Sequence, residues 1–175
     1  MIYKFIIFLL VSCGIVYLSW PSLRSPRLHG FYRFFAFETL LLMILYNFDF
    51  WFQNPFSAVQ ILSWIFLAAS LGMAIHGFYL LRVIGQPQGD FENTTRLVRR
   101  GVYRYIRHPL YASLLFLGIG AFLKMPSLVG AGMLLALAAF LIATALVEEY
   151  ENIQRFGEQY RTYMQETKMF IPFVL

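Results

Sequence analysis

Five long apolar segments, separated by shorter polar ones, follow one another along this chain. They span residues 2–20, 31–52, 57–84, 109–123 and 127–147. A helix needs about 20 apolar residues to cross a hydrocarbon core of roughly 30 Å. Within each segment the apolar residues occupy every face of a helix, which indicates burial by lipid or by neighbouring helices. The pattern therefore predicts an all-α, polytopic transmembrane bundle of about five membrane helices.

Prolines and segment lengths refine the expected helix ends. Pro21 is expected to stop the first helix, and Asn54-Pro55 is expected to form a tight connection before the third. Pro109 suits the first position of the fourth helix. At 1.5 Å per residue the fourth segment reaches only about 22 Å, so its helix must begin earlier or fail to span the membrane fully.

After residue 147 the apolar run gives way to an amphipathic pattern. Apolar and aromatic residues recur at helical steps among charged ones, namely Tyr150, Ile153, Phe156, Tyr160 and Tyr163. Such a C-terminal helix is typical of the membrane surface. The longest polar segment between apolar runs is 85–107. It divides the chain into three membrane helices in 1–84 and a second region, 85–175, with the polar loop, a helix hairpin and the surface helix.

Basic residues are distributed unevenly between the two sides that five crossings create. Lys4 and Lys124 fall on one side, and the other twelve of the 14 lysines and arginines fall on the opposite side. These twelve are Arg24, Arg27, Arg33, Arg82, Arg96, Arg99, Arg100, Arg104, Arg107, Arg155, Arg161 and Lys168. Cytosolic loops of membrane proteins carry an excess of Lys and Arg. We therefore expect the N-terminus outside, and the polar loop and the C-terminus in the cytosol.

Composition supports a membrane environment and excludes several other classes. Hydrophobic residues make up 59% of the chain and charged residues 13%, against roughly 25% charged residues in a soluble domain. Cys13 is the only cysteine, so an intrachain disulfide and a metal site of cysteines are both excluded. The three histidines are too scattered to suggest a zinc site. The net charge of +5 fits cytosolic loops, so no nucleic acid partner is expected.

The polar loop ends in residues that could carry chemistry. Arg104, Arg107 and His108 precede Pro109 at the expected start of the fourth helix. Helix N-termini present free N–H groups and a partial positive charge, which together with an arginine would bind an anion or a carboxylate. The alternative is that the arginines only follow the charge bias of cytosolic loops and that His108 caps the helix. The spacing alone does not decide between them.

Acidic residues in or beside the apolar segments form the second candidate group. Glu148 and Glu149 come at the expected cytosolic end of the fifth helix, where the helix dipole disfavours negative charge. Either a carboxylate binds a cationic or hydroxyl-bearing ligand, or the pair forms salt bridges with arginines of the loop. Glu38, inside the second segment, is expected to be buried with a partner, and Asp49 is expected at the outer interface.

Three ordered elements of the second half carry a family resemblance. Residues 101–111 read Gly-Val-Tyr-Arg-Tyr-Ile-Arg-His-Pro-Leu-Tyr, Glu148-Glu149 follows, and residues 156–163 read Phe-Gly-Glu-Gln-Tyr-Arg-Thr-Tyr. Together they resemble the isoprenylcysteine carboxyl methyltransferase and phospholipid methyltransferase families. The resemblance extends over about 97–172. It implies a membrane methyltransferase with 85–175 as its catalytic region.

The same resemblance implies ligands and a pocket. S-adenosylmethionine would be the methyl donor, and the acceptor would be a lipophilic or lipidated substrate surrounded by membrane lipids. Carried over by position, the residues that would line the donor pocket are Tyr103, His108, Pro109, Tyr111, Glu148 and Glu149. The C-terminal helix would close over this pocket.

The chemistry of methyl transfer leaves the acceptor open. Transfer from a sulfonium is an in-line displacement, so catalysis rests mainly on alignment in a site shielded from water. A carboxylate acceptor is already ionised at neutral pH and would be steered by Arg104 or Arg107. An amine or thiol acceptor would first lose a proton, with His108 as the candidate base.

Two other functions fit the same helical pattern. Membrane sterol reductases have a similar C-terminal signature and use a nicotinamide cofactor, whereas a non-catalytic membrane scaffold would bind neither ligand. Heating the detergent-solubilised protein with each ligand would discriminate among these functions, because a ligand that binds the folded state raises its apparent stability.

Cysteine-accessibility labelling is expected to place the loop 85–107 and the C-terminus in the cytosol and the N-terminus outside. The reason is that twelve of the 14 basic residues lie on the side of that loop. A C-terminus labelled from the outside would contradict the orientation and the compartment of the candidate site.

Overall fold

The structure is a computed structural model that describes residues 2–88 and 94–172. These residues form six α-helices. The helices are α1 (Ile2–Leu23), α2 (His29–Tyr46), α3 (Ala58–Val83), α4 (Pro109–Phe122), α5 (Leu128–Phe156) and α6 (Glu158–Glu166). Short 3-10 turns occupy Phe48–Phe50 and Gly101–Arg104. The described residues contain only two isolated β-bridges and no strand. The predicted all-α class is therefore confirmed, and residues 89–93 of the predicted loop lie outside the described residues.

Length together with apolar composition separates the membrane-crossing candidates from the other described helices. By length and composition, α1, α3 and α5 are long and apolar enough to cross a membrane. The fourth helix begins at Pro109, as predicted, and has 14 residues. It does not begin earlier, so its length of about 21 Å at 1.5 Å per residue falls short of a hydrocarbon core.

Three predicted helix ends were wrong. The second segment was expected to reach residue 52, but α2 ends at Tyr46 and a 3-10 turn follows. Pro21 does not stop α1, which continues to Leu23. A proline removes one backbone hydrogen bond, and this loss is small where only two more helical residues follow. The fifth helix does not end near residue 147 but runs on to Phe156, where Gly157 with φ of 58° ends it. The chain loses its apolar character after residue 147, while its helical structure continues.

The length of α5 also overturns the dipole argument for the acidic pair. Glu148 and Glu149 lie inside α5, about two turns before its end at Phe156. The field of a helix terminus falls off within the last turn, so it does not disfavour these carboxylates. Their positions must be explained by the side chains that surround them.

Small residues hold α3 against α4. The Ser63 hydroxyl donates to the Gly120 carbonyl at 2.7 Å, and the Ser70 hydroxyl donates to the Ser113 carbonyl at 2.7 Å. Without a hydrophobic driving force between helices in lipid, close approach of backbones and interhelical hydrogen bonds drive association. Residues of both helices line the site described below.

The core lies among α2, α4 and α5. Its buried side chains include Ala36, Leu40, Met43, Ala112, Ala121, Leu137, Leu141 and Ala145. A Cβ at Gly118 of α4 would clash with Leu137 Cδ2 on α5 and would lie 3.2 Å from Met43 Cε on α2, so the three helices approach closely there. This packing fixes the start of α4 relative to the middle of α5.

Polar contacts tie the helices together at the two ends of the bundle. At one end the Lys4 ammonium lies 2.7 Å from the Asp49 carboxylate, which also accepts a hydrogen bond from the Tyr3 hydroxyl. The two contacts, that of Lys4 first, hold the pKa of Asp49 below its ordinary value. At the other end His29 Nδ1 lies 2.6 Å from the Glu151 carboxylate. Between the ends, Glu38 accepts a hydrogen bond from Ser12 at 2.8 Å, so it has a partner as expected, but it is half-buried and not buried.

Replacement of Gly120 by alanine is expected to destabilise the fold. A Cβ there would lie 2.7 Å from Leu67 Cδ2 and 3.2 Å from the Ser63 carbonyl oxygen, so α3 and α4 would have to separate. Such overpacking costs roughly 1–3 kcal/mol of unfolding free energy. Gly132→Ala on α5 is the matched control, because a Cβ at Gly132 meets no atom within 4 Å. Thermal unfolding in detergent should show a lower Tm for Gly120→Ala alone, and equal Tm values would contradict the close packing.

Candidate functional site

The chain segment before α4 is held in place by the segment after α6. The Arg107 backbone N–H donates to the Lys168 carbonyl at 2.8 Å, and the His108 backbone N–H donates to the Met169 carbonyl at 3.1 Å. In return the Lys168 N–H donates to the Tyr105 carbonyl at 3.1 Å. These bonds fix the backbone from which Arg107 and His108 project. Pro109 then begins α4, because the first helical position needs no backbone N–H.

A cavity of about 830 Å³ lies next to this segment. One wall is polar and aromatic, and its members include Tyr103, Arg107, His108, Tyr111, Glu148, Asn152, Tyr160 and Tyr163. The lining residues that come from α1, α2 and α3 are mostly apolar and form a second wall. The volume is within the range of small-molecule sites, roughly 300–1,000 Å³. One continuous space therefore contacts both a polar and an apolar surface.

Glu149 is a buried carboxylate that organises the polar wall from behind. Its Oε1 lies 2.7 Å from Arg107 Nε and 3.2 Å from His108 Nε2. The side chains of Glu149 and Arg107 are only 6% and 10% exposed. Arg107 also donates from Nη1 to the carbonyls of Met164 and Thr167, so its Nε and Nη1 groups are bound by protein groups. Of the two explanations for the acidic pair, the salt bridge with an arginine of the loop applies to Glu149.

Glu148 faces the cavity instead. Its side chain is 22% exposed, accepts a hydrogen bond from the Tyr111 hydroxyl at 2.5 Å and lies 3.8 Å from His108 Nδ1. The His108 and Tyr111 rings stack with centroids 5.4 Å apart and planes 18° apart. His108 is at the N-cap position of α4, but its side chain makes no capping hydrogen bond. The imidazole is instead part of the wall.

Two tyrosines of α6 cover one side of the cavity. Tyr160 and Tyr163 are buried, and burial raises the pKa of both phenols above its ordinary value. Both hydroxyls therefore keep their protons at neutral pH. The Tyr163 hydroxyl donates to the Tyr103 carbonyl at 2.6 Å, which ties α6 to the segment before α4.

The structure brings most of the sequence-predicted site residues together. Those that line the cavity are Tyr103, Arg107, His108, Pro109, Tyr111 and Glu148. Glu149 lies behind the wall, and Arg104 is exposed and does not line the cavity. The division of the chain at residue 84 stays a prediction, and the cavity receives walls from both regions.

Sequence reasoning missed several lining residues. The cavity is also lined by Arg33, Phe37, Asn152, Tyr160 and Tyr163. The two tyrosines were noted only as apolar steps of a surface helix. Arg33 was considered only as one of the basic residues that set the orientation, although a charge inside an apolar segment is itself a signal of a functional position.

Comparison with known proteins gives one match. The family model for phospholipid methyltransferase matches residues 58–159, which is more than half of the 175 residues and runs from α3 into α6. No curated protein and no solved structure matched this chain.

Replacement of Glu149 by glutamine is expected to lower the stability of the ligand-free protein. The substitution leaves the buried Arg107 guanidinium without its counter-charge, which costs roughly 3–5 kcal/mol of unfolding free energy. Thermal unfolding in detergent checks this, with Glu158→Gln as the control because Glu158 is 89% exposed. The double replacement of Arg107 and Glu149 by methionine should recover part of the loss. A Tm for Glu149→Gln equal to that of Glu158→Gln would contradict the role of the pair.

Proposed function

This chain belongs to the phospholipid methyltransferase family, and we propose that it is a membrane methyltransferase that uses S-adenosylmethionine to methylate a lipophilic substrate. The family match supports methyl transfer over the sterol-reductase and scaffold alternatives. The observation that carries the proposal is the single cavity with one polar and one apolar wall. In such a space a polar donor could meet a lipophilic acceptor that does not leave the membrane.

The chemistry of the polar wall fits the donor. S-adenosylmethionine has a sulfonium, an ammonium group, a ribose diol and a planar base. Glu148 supplies a carboxylate for a cationic or hydroxyl-bearing group, and the stacked rings of His108 and Tyr111 supply aromatic surface. Tyr103, Pro109 and Glu148 would hold the donor together with these two rings, as the family resemblance implies. We assign Glu149 a supporting role, because it lies behind the wall.

Alignment and exclusion of water are the main tasks of these residues. Bound in this cavity, S-adenosylmethionine would supply an electrophilic methyl group on its sulfonium. Displacement at that carbon needs the acceptor atom in line with the leaving sulfur, so a rigid wall contributes directly to the rate. The contacts of Glu149 with Arg107 and His108 provide that rigidity. Tyr160 and Tyr163 would shield the site from the aqueous side.

The acceptor determines whether a proton must move. A carboxylate acceptor would need none, and the positive charge of Arg107 in the cavity wall would favour its approach. An amine or thiol would lose a proton. We propose His108 as the base that takes this proton, because His108 lies in the wall and contacts Glu148. Arg104 has no role in the proposed site, since it does not line the cavity.

We also propose that this site faces the cytosol. The cavity lies at the end of the bundle that contains Arg107, the polar loop and α6, and this end carries twelve of the 14 basic residues. The donor would then enter from the cytosol, and the acceptor would enter from the membrane.

Replacement of Glu148 by glutamine is expected to weaken donor binding. The substitution keeps the size of the side chain and removes its charge, and a lost charge-assisted hydrogen bond is worth roughly 1.5–3 kcal/mol, or about tenfold to hundredfold in Kd. Calorimetric titration of the purified protein with S-adenosylmethionine measures this change. The wild-type protein should bind S-adenosylmethionine and should not bind the reduced nicotinamide cofactor.

Melting of the same samples separates a binding role from a structural one. Glu148→Gln should change the ligand-free Tm much less than donor affinity, and the exposed Glu158→Gln should leave both unchanged. Unchanged affinity for S-adenosylmethionine in Glu148→Gln would remove Glu148 from the site. Binding of the nicotinamide cofactor instead of S-adenosylmethionine by the wild-type protein would overturn the proposed function.

A further inference from the structure

Lys124 is a buried lysine that follows the end of α4 farthest from the cavity. It lies in the connection between α4 and α5 and is only 3% exposed. Its Nζ donates to Gln60 Oε1 at 3.2 Å, and Gln60 Nε2 donates to the Lys124 carbonyl at 2.9 Å. The ammonium also lies 3.4 Å from the centre of a Trp64 ring and 5.4 Å from that of a Trp51 ring. A buried cation is costly unless its donors have partners.

These contacts do not satisfy every donor of the ammonium. An ammonium group has three N–H donors. One of them donates to Gln60, and a second can point to the face of Trp64, which attracts a cation. Gln60 Oε1 is the acceptor that the described residues provide for Lys124 Nζ. One donor therefore remains available for a ligand.

Two other buried polar atoms in the same region have no hydrogen-bond partner among the described residues. They are Asn47 Oδ1, an acceptor, and Trp51 Nε1, a donor. Asn47 is fully buried, and its Nδ2 donates to the Ala121 carbonyl at 2.9 Å. The Lys124 backbone N–H donates to the same carbonyl at 3.3 Å. Asn47 and Trp51 flank the 3-10 turn Phe48–Phe50, so the three groups come from one small region.

A buried water is the ligand that matches this set of groups. Water can accept from Lys124 and Trp51 and donate to Asn47 at the same time. Buried waters make about three hydrogen bonds to otherwise unsatisfied polar groups. A small anion could accept from the two donors, but it could not donate to Asn47 Oδ1. Rotation of the Asn47 amide would not remove this conflict, because its Nδ2 already donates to Ala121.

We propose that Asn47, Trp51 and Lys124 form a binding site for a buried water, which joins the end of α2 to the connection between α4 and α5. The water gives the Lys124 ammonium a further acceptor, so the lysine can stay buried and charged. The site holds the end of α4 opposite to the one that begins at Pro109. It goes beyond the proposed function and does not depend on it.

The Trp51 indole reports directly on this water. The chain has three tryptophans, so selective ¹⁵N labelling of the detergent-solubilised protein gives three indole N–H signals, which single replacements by phenylalanine assign. The Trp51 N–H should show a nuclear Overhauser cross-peak to water with the sign of a bound molecule. The cross-peak should persist in Lys124→Met, or in Lys124→Gln if the first variant fails to fold. Its absence from the wild-type protein, or its loss with the ammonium protons, would overturn the site.

A double-mutant cycle tests the bridge between Asn47 and Trp51. Asn47→Leu and Trp51→Phe each remove one partner of the water, so the second replacement should cost less once the first has been made. The Tm lost by the double variant should be smaller than the sum of the two single losses by about 2 °C or more. Asn47→Ala replaces Asn47→Leu if the leucine variant fails to fold. Additive losses would overturn the bridge.

The matched control cycle combines the same Asn47 variant with Trp64→Phe. The Trp64 ring belongs to the ring pair beside Lys124, but its N–H is not one of the buried unpaired groups. Losses of Tm in this cycle should therefore be additive. Equal non-additivity in both cycles would indicate coupling through ring packing and would overturn the role of the Trp51 N–H.

Exchange of the buffer anion distinguishes water from a small anion. The Tm of the wild-type protein should be the same in chloride and in gluconate at equal ionic strength. A saturable rise of Tm with chloride that disappears in Trp51→Phe would identify an anion as the ligand and overturn the water site. None of these measurements involves a methyl donor or acceptor, so their outcome is independent of the titrations of Glu148→Gln.

Discussion

A carboxylate buried among apolar helices has to be partnered, and the site depends on how Glu149 meets this requirement. Desolvation makes an isolated buried carboxylate very costly, so Glu149 draws both Arg107 and His108 to α5. Arg107 in turn donates to the carbonyls of Met164, in α6, and of Thr167, just after it. One electrostatic requirement thus joins the start of α4, the inside of α5 and the C-terminal segment. The wall of the cavity follows from this junction.

The two members of the acidic pair illustrate how adjacent residues take different tasks. Successive residues of a helix point about 100° apart, so Glu149 faces the interior when Glu148 faces the cavity. Binding and structural explanations, which were alternatives for the pair, therefore apply to different residues. Tyr111 links them, since its ring stacks on His108 and its hydroxyl donates to Glu148.

Hydropathy predicted the helices well because burial in lipid requires every face of a helix to be apolar. It failed at the end of α5, where the chain turns polar while its helix continues for nine residues to Phe156. Gly157 was the better signal, since its positive φ suits glycine. The motifs in the sequence predicted most residues of the polar wall. Arg33 was not predicted to line the cavity, because it is far from the motifs along the chain. In the structure it lines the same cavity as they do.

The pairing of the segment after α6 with the segment before α4 has a consequence for biogenesis. Residues 168 and 169 supply carbonyls to Arg107 and His108, and Phe170, which is 2% exposed, packs against the His108 ring. Helices α1 to α4 leave the ribosome long before these residues do. The wall of the cavity is therefore completed only after Phe170 has left the ribosome.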